Sequence, residues 1–210
     1  MANELNLSNI FGSVTQQLAQ KQETLNEADD YNHNHGDHMV QIFNLIQGAV
    51  SQKQDQPVAE QLGYASKVVK EQANSGSAAL YAQNLSNAAQ KFSGSELKPD
   101  MLGTLVQSLL GVEKPQPAPQ PKQTGGFLGL LLSSLTGKKQ TSQQGQGLDL
   151  NDLLQVGMAF YQSKQEGDNN TQAIMDALMA ASPIGQSAHR AQSGSVVAST
   201  ILDFAKSLNQ

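Results

Sequence analysis

The sequence contains no cysteine and no tryptophan. Without thiols there is no disulfide framework, no thiolate zinc site, no iron–sulfur cluster and no cysteine nucleophile. Basic residues are few: 13 Lys and Arg stand against 18 Asp and Glu, a formal net charge of −5 over 210 residues. That balance offers no electrostatic footprint for nucleic acid. No apolar run reaches the roughly 18 residues that a membrane span requires. The opening MANELNLSNIFGS has no basic region followed by an apolar one, so the expectation is a soluble, cytoplasmic chain. Charged residues are also sparse, at 15%, while 38% are hydrophobic. Charge-driven disorder needs the opposite combination, so a packed core is expected.

What is present is helical periodicity. Leu7, Ile10, Phe11, Val14 and Leu18 fall on one face of a helix, with Ser8 or Asn9 as the expected cap. Further stripes follow at Met39–Ile42–Phe43–Ile46, at Val58–Leu62–Ala65–Val68/Val69, and at Leu80–Leu85–Ala88–Ala89–Phe92. Others run through Met101–Leu102–Leu105–Val106–Leu109, Leu150–Leu153–Leu154–Met158–Tyr161, Ile174–Met175–Leu178–Met179 and Val196–Val197–Ile201–Leu202–Phe204. Alternating runs rich in Val, Ile and Thr are missing. The predicted fold is all-α: an up-and-down antiparallel bundle or barrel of about eight helices.

Composition divides the chain into two helical halves of one domain, 1–112 and 148–210. Between them, residues 113–147 form a connector. EKPQPAPQPKQTG at its start favours extended polyproline geometry, and GKKQTSQQGQG at its end is polar and of low complexity. The apolar island at 126–136 lies between them, and Lys138 and Lys139 have no assigned role. The halves resemble each other. ANSGSAALYAQ in the first matches AQSGSVVASTI in the second, and LNL at 5–7 matches LDL at 148–150. An ancient duplication would give a pseudo-two-fold bundle in which both Ser-Gly-Ser segments start helices.

Two segments carry chemistry. EADDYNHNHGDHM gathers three of the four histidines among carboxylates. Carboxylates at alternate loop positions converge oxygens on Mg²⁺ or Ca²⁺, and histidines add nitrogens that suit Zn²⁺ or Mn²⁺. The plainer reading is a polar loop in which Asp37 caps the next helix. The second segment is the Ser-Gly-Ser pair. A helix start with Ser75, Gly76 and Ser77 is built to hold an anion, or simply to cap a helix, and the same holds for Ser193 and Ser195. His189-Arg190 reads as solvated surface with some capacity for phosphate. Tyr81 reads as core or rim.

Taken together, these segments resemble the nucleotide-binding L-subunit domain of dihydroxyacetone kinase, also called the Dak phosphatase domain. LNEADDYNHNHGDHM places Asp30, His35, Asp37 and His38 on that family's Asp and Asp-His positions, with His35 and Met39 replacing Asp and Gly. NSGSAALYAQ matches its phosphate-cradling turn at Ser77, Leu80 and Tyr81. IMDAL at 174–178 matches the end of a later motif. The resemblance implies a barrel of helices, metal held by Asp30, His35 and Asp37, and phosphate near His38, Ser75, Gly76 and Ser77. It implies ATP or ADP with Mg²⁺, or with Mn²⁺ or Zn²⁺, and phosphotransfer to a substrate on a partner subunit. The alternative is a non-catalytic relative that serves as a helical interaction or regulatory module, or a simple structural metal site. Deletion within 113–125 is expected to leave helicity intact by circular dichroism; a collapse of the signal would make the connector part of the fold.

Overall fold

The computed structural model describes residues 5–112, 178–179 and 182–208. The chain divides into two units, Met1–Glu113 with Met175–Gln210, and Lys114–Ile174; every described residue belongs to the first. The connector, the apolar island and the stripe from Leu150 to Tyr161 lie outside the described residues.

The fold is all-α, with no strand among the described residues. Seven α-helices are seen: α1 (Leu7–Gln20), α2 (Gln22–Glu27), α3 (His35–Gln52), α4 (Val58–Gln72), α5 (Gly76–Lys91), α6 (Leu102–Leu109) and α7 (Ala188–Ser207). Short 3₁₀ turns at Pro99–Met101 and Pro183–Gln186 lead into α6 and α7. The loops joining α3 to α4 and α4 to α5 are short, which makes sequential helices antiparallel neighbours.

α3 lies at the centre and touches α1, α2, α4, α5 and α7. The stripes of α1 and α3 are buried as read from the sequence, whereas in α5 Leu80 and Ala89 of the expected stripe are half-buried and Tyr81 takes the core face. All five apolar positions of α1 are buried, as are Met39, Ile42, Phe43 and Ile46 of α3. Aromatics are few but concentrated. Phe43 meets Phe11 of α1 at 6.2 Å between ring centroids and Tyr81 of α5 edge-on at 5.1 Å. Such tilted pairs add about 0.5–1.5 kcal/mol beyond area burial. Tyr81 is therefore core, although its hydroxyl is buried without a hydrogen-bond partner and burial raises its pKa.

The caps differ from expectation. α1 starts one residue earlier than Ser8: Asn6 is the N-cap, and its side chain accepts from the Asn9 N–H at 2.8 Å. α3 starts at Asn34–His35 rather than at Asp37, which sits inside the first turn. α6 ends in a Schellman motif. Gly111 at φ +72° lets its own N–H reach the Ser108 carbonyl while the Val112 N–H reaches that of Gln107.

The largest departure concerns the second Ser-Gly-Ser. Ser75 caps α5, its hydroxyl accepting from the Ala78 N–H at 3.1 Å. Ser193-Gly194-Ser195, by contrast, lies inside α7, which begins at Ala188 after Pro183 and Ser187. Gly194 is there for packing. A Cβ would stand 2.9 Å from Ile184 Cγ2 and 3.1 Å from Met179 Sδ. The two segments share letters but not a position in their helices, so the expected pairing of helix starts does not occur.

Gly36 is read from sequence as a loop former, yet it lies in α3 and is buried. A Cβ there would collide with the Gln22 carbonyl oxygen of α2. Gly48, in the same helix, has open space around it. Gly36→Ala is expected to destabilise by about 1–3 kcal/mol, and Gly48→Ala to stabilise by about 0.5–1 kcal/mol. Urea midpoints of the two variants check this; equal midpoints would show that α2 does not need the close approach.

Candidate functional site

The first turns of α3, α5 and α7 open onto one pocket of about 360 Å³. α3 supplies Asn34, His35 and His38. α5 supplies Asn74 to Ser77, and α7 supplies His189 and Arg190. The loop before α3 adds Asp29, Tyr31 and Asn32. In each helix the first backbone N–H to close an intrahelical bond lies three residues past the start, at His38, Ala79 and Ala191. Of the N–H groups before it, that of Ala78 goes to the Ser75 hydroxyl and that of Asp37 to Asn26 Oδ1; the others lie outside the backbone ladder of their helix. Each helix end also carries about half a positive elementary charge. Three such ends at one opening make a positive field with donors at its surface.

The side chains extend that field. Arg190 lies against Gly76, where a Cβ would stand 2.7 Å from its Nη2. Glycine thus lets the guanidinium sit directly on the backbone of the α5 N-terminus. Arg190 Nε is buried and has no hydrogen-bond partner. Asn34 Oδ1 is in the same condition.

His35 is buried, and its Nε2 lies 2.9 Å from Ser193 Oγ. The Ser193 hydroxyl donates to the Arg190 carbonyl at 3.0 Å. Its lone pairs therefore face His35, and the imidazole Nε2–H is the donor. Burial, with the charges of His189, Arg190 and His38 opposing Asp29, lowers the His35 pKa from 6.5 to about 4. The ring is neutral at physiological pH and holds two helices together as a hydrogen-bond donor. His189 packs edge-on against it at 4.7 Å between centroids. His189 Nδ1 lies 3.9 Å from Asp29 Oδ1, and Nε2 lies 3.4 Å from Ser187 Oγ. Burial acts to raise the Asp29 pKa, but the N–H groups of Tyr31 and Asn34 and the two histidines together bring it below the usual value. Asp29 is an ionised carboxylate inside a pocket of donors.

Of the residues singled out from the sequence, the structure brings His35, His38, Ser75, Gly76 and Ser77 together at the pocket. Asp30 and Asp37 do not line it. Asp30 is exposed. Asp37 Oδ1 accepts from Gln22 Nε2 at 2.7 Å and Asn26 Nδ2 at 2.9 Å, and these two amides lower its pKa. Its own N–H reaches Asn26 Oδ1 at 3.2 Å. Asp37 thus ties α2 to the first turn of α3. Among the described residues no group of three or more His, Asp or Glu is arranged to hold a metal ion. A Mg²⁺ centre needs oxygens that converge, and the pocket offers one carboxylate. The described residues do not fit the Mg²⁺ that the family resemblance implies at Asp30, His35 and Asp37.

Seven further residues line the pocket, Asp29, His189 and Arg190 among them. The sequence reading assigns metal to Asp30 rather than to its neighbour Asp29, because only the backbone decides which of two adjacent carboxylates turns inward. His189 and Arg190 read as solvated surface with some capacity for phosphate, and both line the pocket. The one available signal was Pro183 and Ser187 just upstream, which place the pair in the first turn of a helix.

The His35 shift has a sign for stability. Between pH 6.5 and 4 the unfolded chain binds a proton that the folded chain does not. This contribution is present in full above pH 6.5 and is lost as pH falls through the window, on the order of 3 kcal/mol in all. The Asp29 contribution is lost below the ordinary carboxylate value and falls outside the window. His35→Gln keeps a donor near Ser193 without a titrating group. Its urea midpoint is expected to vary less across this window than that of the parent chain; an equal slope in both would place the pH sensitivity elsewhere.

Comparison with models of known protein families, with curated proteins and with solved structures gives no match for this chain. Function is therefore argued from the pocket itself.

Proposed function

We propose that this chain is a helical module that binds a phosphate-bearing small molecule directly, through helix N-termini and Arg190, and that it acts by binding rather than by catalysis. The observation that carries this reading is the convergence of three helix starts on one pocket, with an unpartnered guanidinium nitrogen at the same place. Backbone donors and the helix field act together on an anion at such a position. The family resemblance points the same way for phosphate at His38, Ser75, Gly76 and Ser77. For metal it points to Asp30, His35 and Asp37; Asp30 is exposed, Asp37 is held by the Gln22 and Asn26 amides, and neither lines the pocket. The reading therefore keeps the phosphate cradle and leaves out the metal-dependent phosphotransfer and the substrate-bearing partner subunit.

The volume suits a phosphate with part of a larger ligand. Tyr31 lines the mouth and is 91% exposed. Its ring offers a face to an aromatic group carried by the phosphate, as the base of ATP or ADP would supply.

Thermal unfolding of the full chain with ATP, ADP and inorganic phosphate, each with EDTA and then with Mg²⁺, tests the proposal. Stabilisation is expected to follow ligand concentration and to reach about 2.7 kcal/mol at a hundredfold excess over Kd. It is expected already in EDTA. Arg190→Gln removes a charged donor and is expected to weaken binding by about 1.5–3 kcal/mol. No shift with any of the three ligands, with or without metal, would overturn the proposal. A shift that appears only with Mg²⁺ would return the reading to a metal-bridged nucleotide.

A further inference from the structure

The pocket is not uniformly a donor site. Two of its elements ask for a hydrogen rather than for an oxygen. Asn34 Oδ1 is shut off from solvent and has no partner. Asp29 is 5% exposed; its carboxylate receives the N–H groups of Tyr31, at 3.3 Å on Oδ1, and of Asn34, and His189 Nδ1 stands 3.9 Å from Oδ1. Arg190, which lines the same pocket, has a buried Nε without a partner. A ligand that carries both a donor and an acceptor would satisfy the two kinds of group at once.

We propose that the pocket selects a phosphate that keeps one proton, inorganic phosphate or a phosphate monoester, and that Asp29 and Asn34 accept the hydrogen bond from its P–OH group while Arg190 and the helix amides hold the other oxygens. This inference rests on the phosphate-binding reading and names the chemical form of the ligand. Sulfate carries no proton near neutral pH. A phosphodiester has lost the hydroxyl altogether. Either would satisfy Arg190 but leave Asn34 Oδ1 orphaned and set its charge against Asp29. A phosphate monoester has its second pKa near about 6, so the protonated form is within reach at pH 7, and a neighbouring carboxylate favours it. Asp29 repels a bare oxyanion and attracts a P–OH, so one side chain both admits and rejects.

The test is calorimetric titration of the full chain at pH 7 and constant ionic strength with inorganic phosphate, glycerol phosphate, sulfate and dimethyl phosphate. Inorganic phosphate, the monoester or both are expected to bind about tenfold to hundredfold more tightly than sulfate or the diester. The ratio of the first two names the source: a preference for free phosphate points to the inorganic ion, a preference for glycerol phosphate to an esterified ligand. Asp29→Asn is expected to narrow the gap by strengthening sulfate binding. Because Asp29 also shapes the loop, the comparison of the four ligands on the unaltered chain decides by itself. Equal affinity for sulfate and phosphate would overturn this inference and leave the anion pocket standing. No binding of any of the four would overturn this inference, and the phosphate-binding reading with it if ATP and ADP fail as well.

Discussion

One buried hydrogen bond sets the geometry of the described fold, from His35 at the start of α3 to Ser193 inside α7. Its partners are 158 positions apart in sequence. It holds the two helix starts side by side, and Gly36, the next residue, brings α2 against the same turn. Around this point α3 contacts most of the other helices. Because the imidazole is buried, the bond is most favourable when the ring is neutral. Charging the ring would oppose it to Arg190 and to the helix dipoles.

The same assembly is electrostatically uneasy. Three helix N-termini face one opening, and like-signed dipole ends repel. The fold answers with Asp29 placed inward, with a neutral rather than cationic His35, and with Asp37 held by amides beside the first turn of α3. What remains is still a concave surface with excess positive field, and such surfaces concentrate anions from solution.

Much of the fold could be read from sequence because burial imposes a period. The stripes of α1 and α3 face the core residue for residue, while in α5 the core face runs through Tyr81, which meets Phe43, rather than through Leu80. Sites follow a different rule. Ser75 could be read as a cap because its role is local. The role of Ser193 is set by what approaches from α3, and an identical tripeptide in a different helical position does a different job. Asp29 is buried and Asp30 exposed in a loop that also takes His33 to φ +53°, and neither carboxylate is marked out by its own sequence neighbours. Arg190 became a pocket residue through Gly76, a contact between distant helices that neither local sequence announces.

The Ser182 hydroxyl donates to the carbonyl of Leu110, at the end of α6. Chain positions 72 apart are thereby fastened next to each other on the helical body. The bond fixes the C-terminal end of α6 beside the 3₁₀ turn that leads into α7, so the third helix start of the pocket is registered on a helix that does not itself line the pocket.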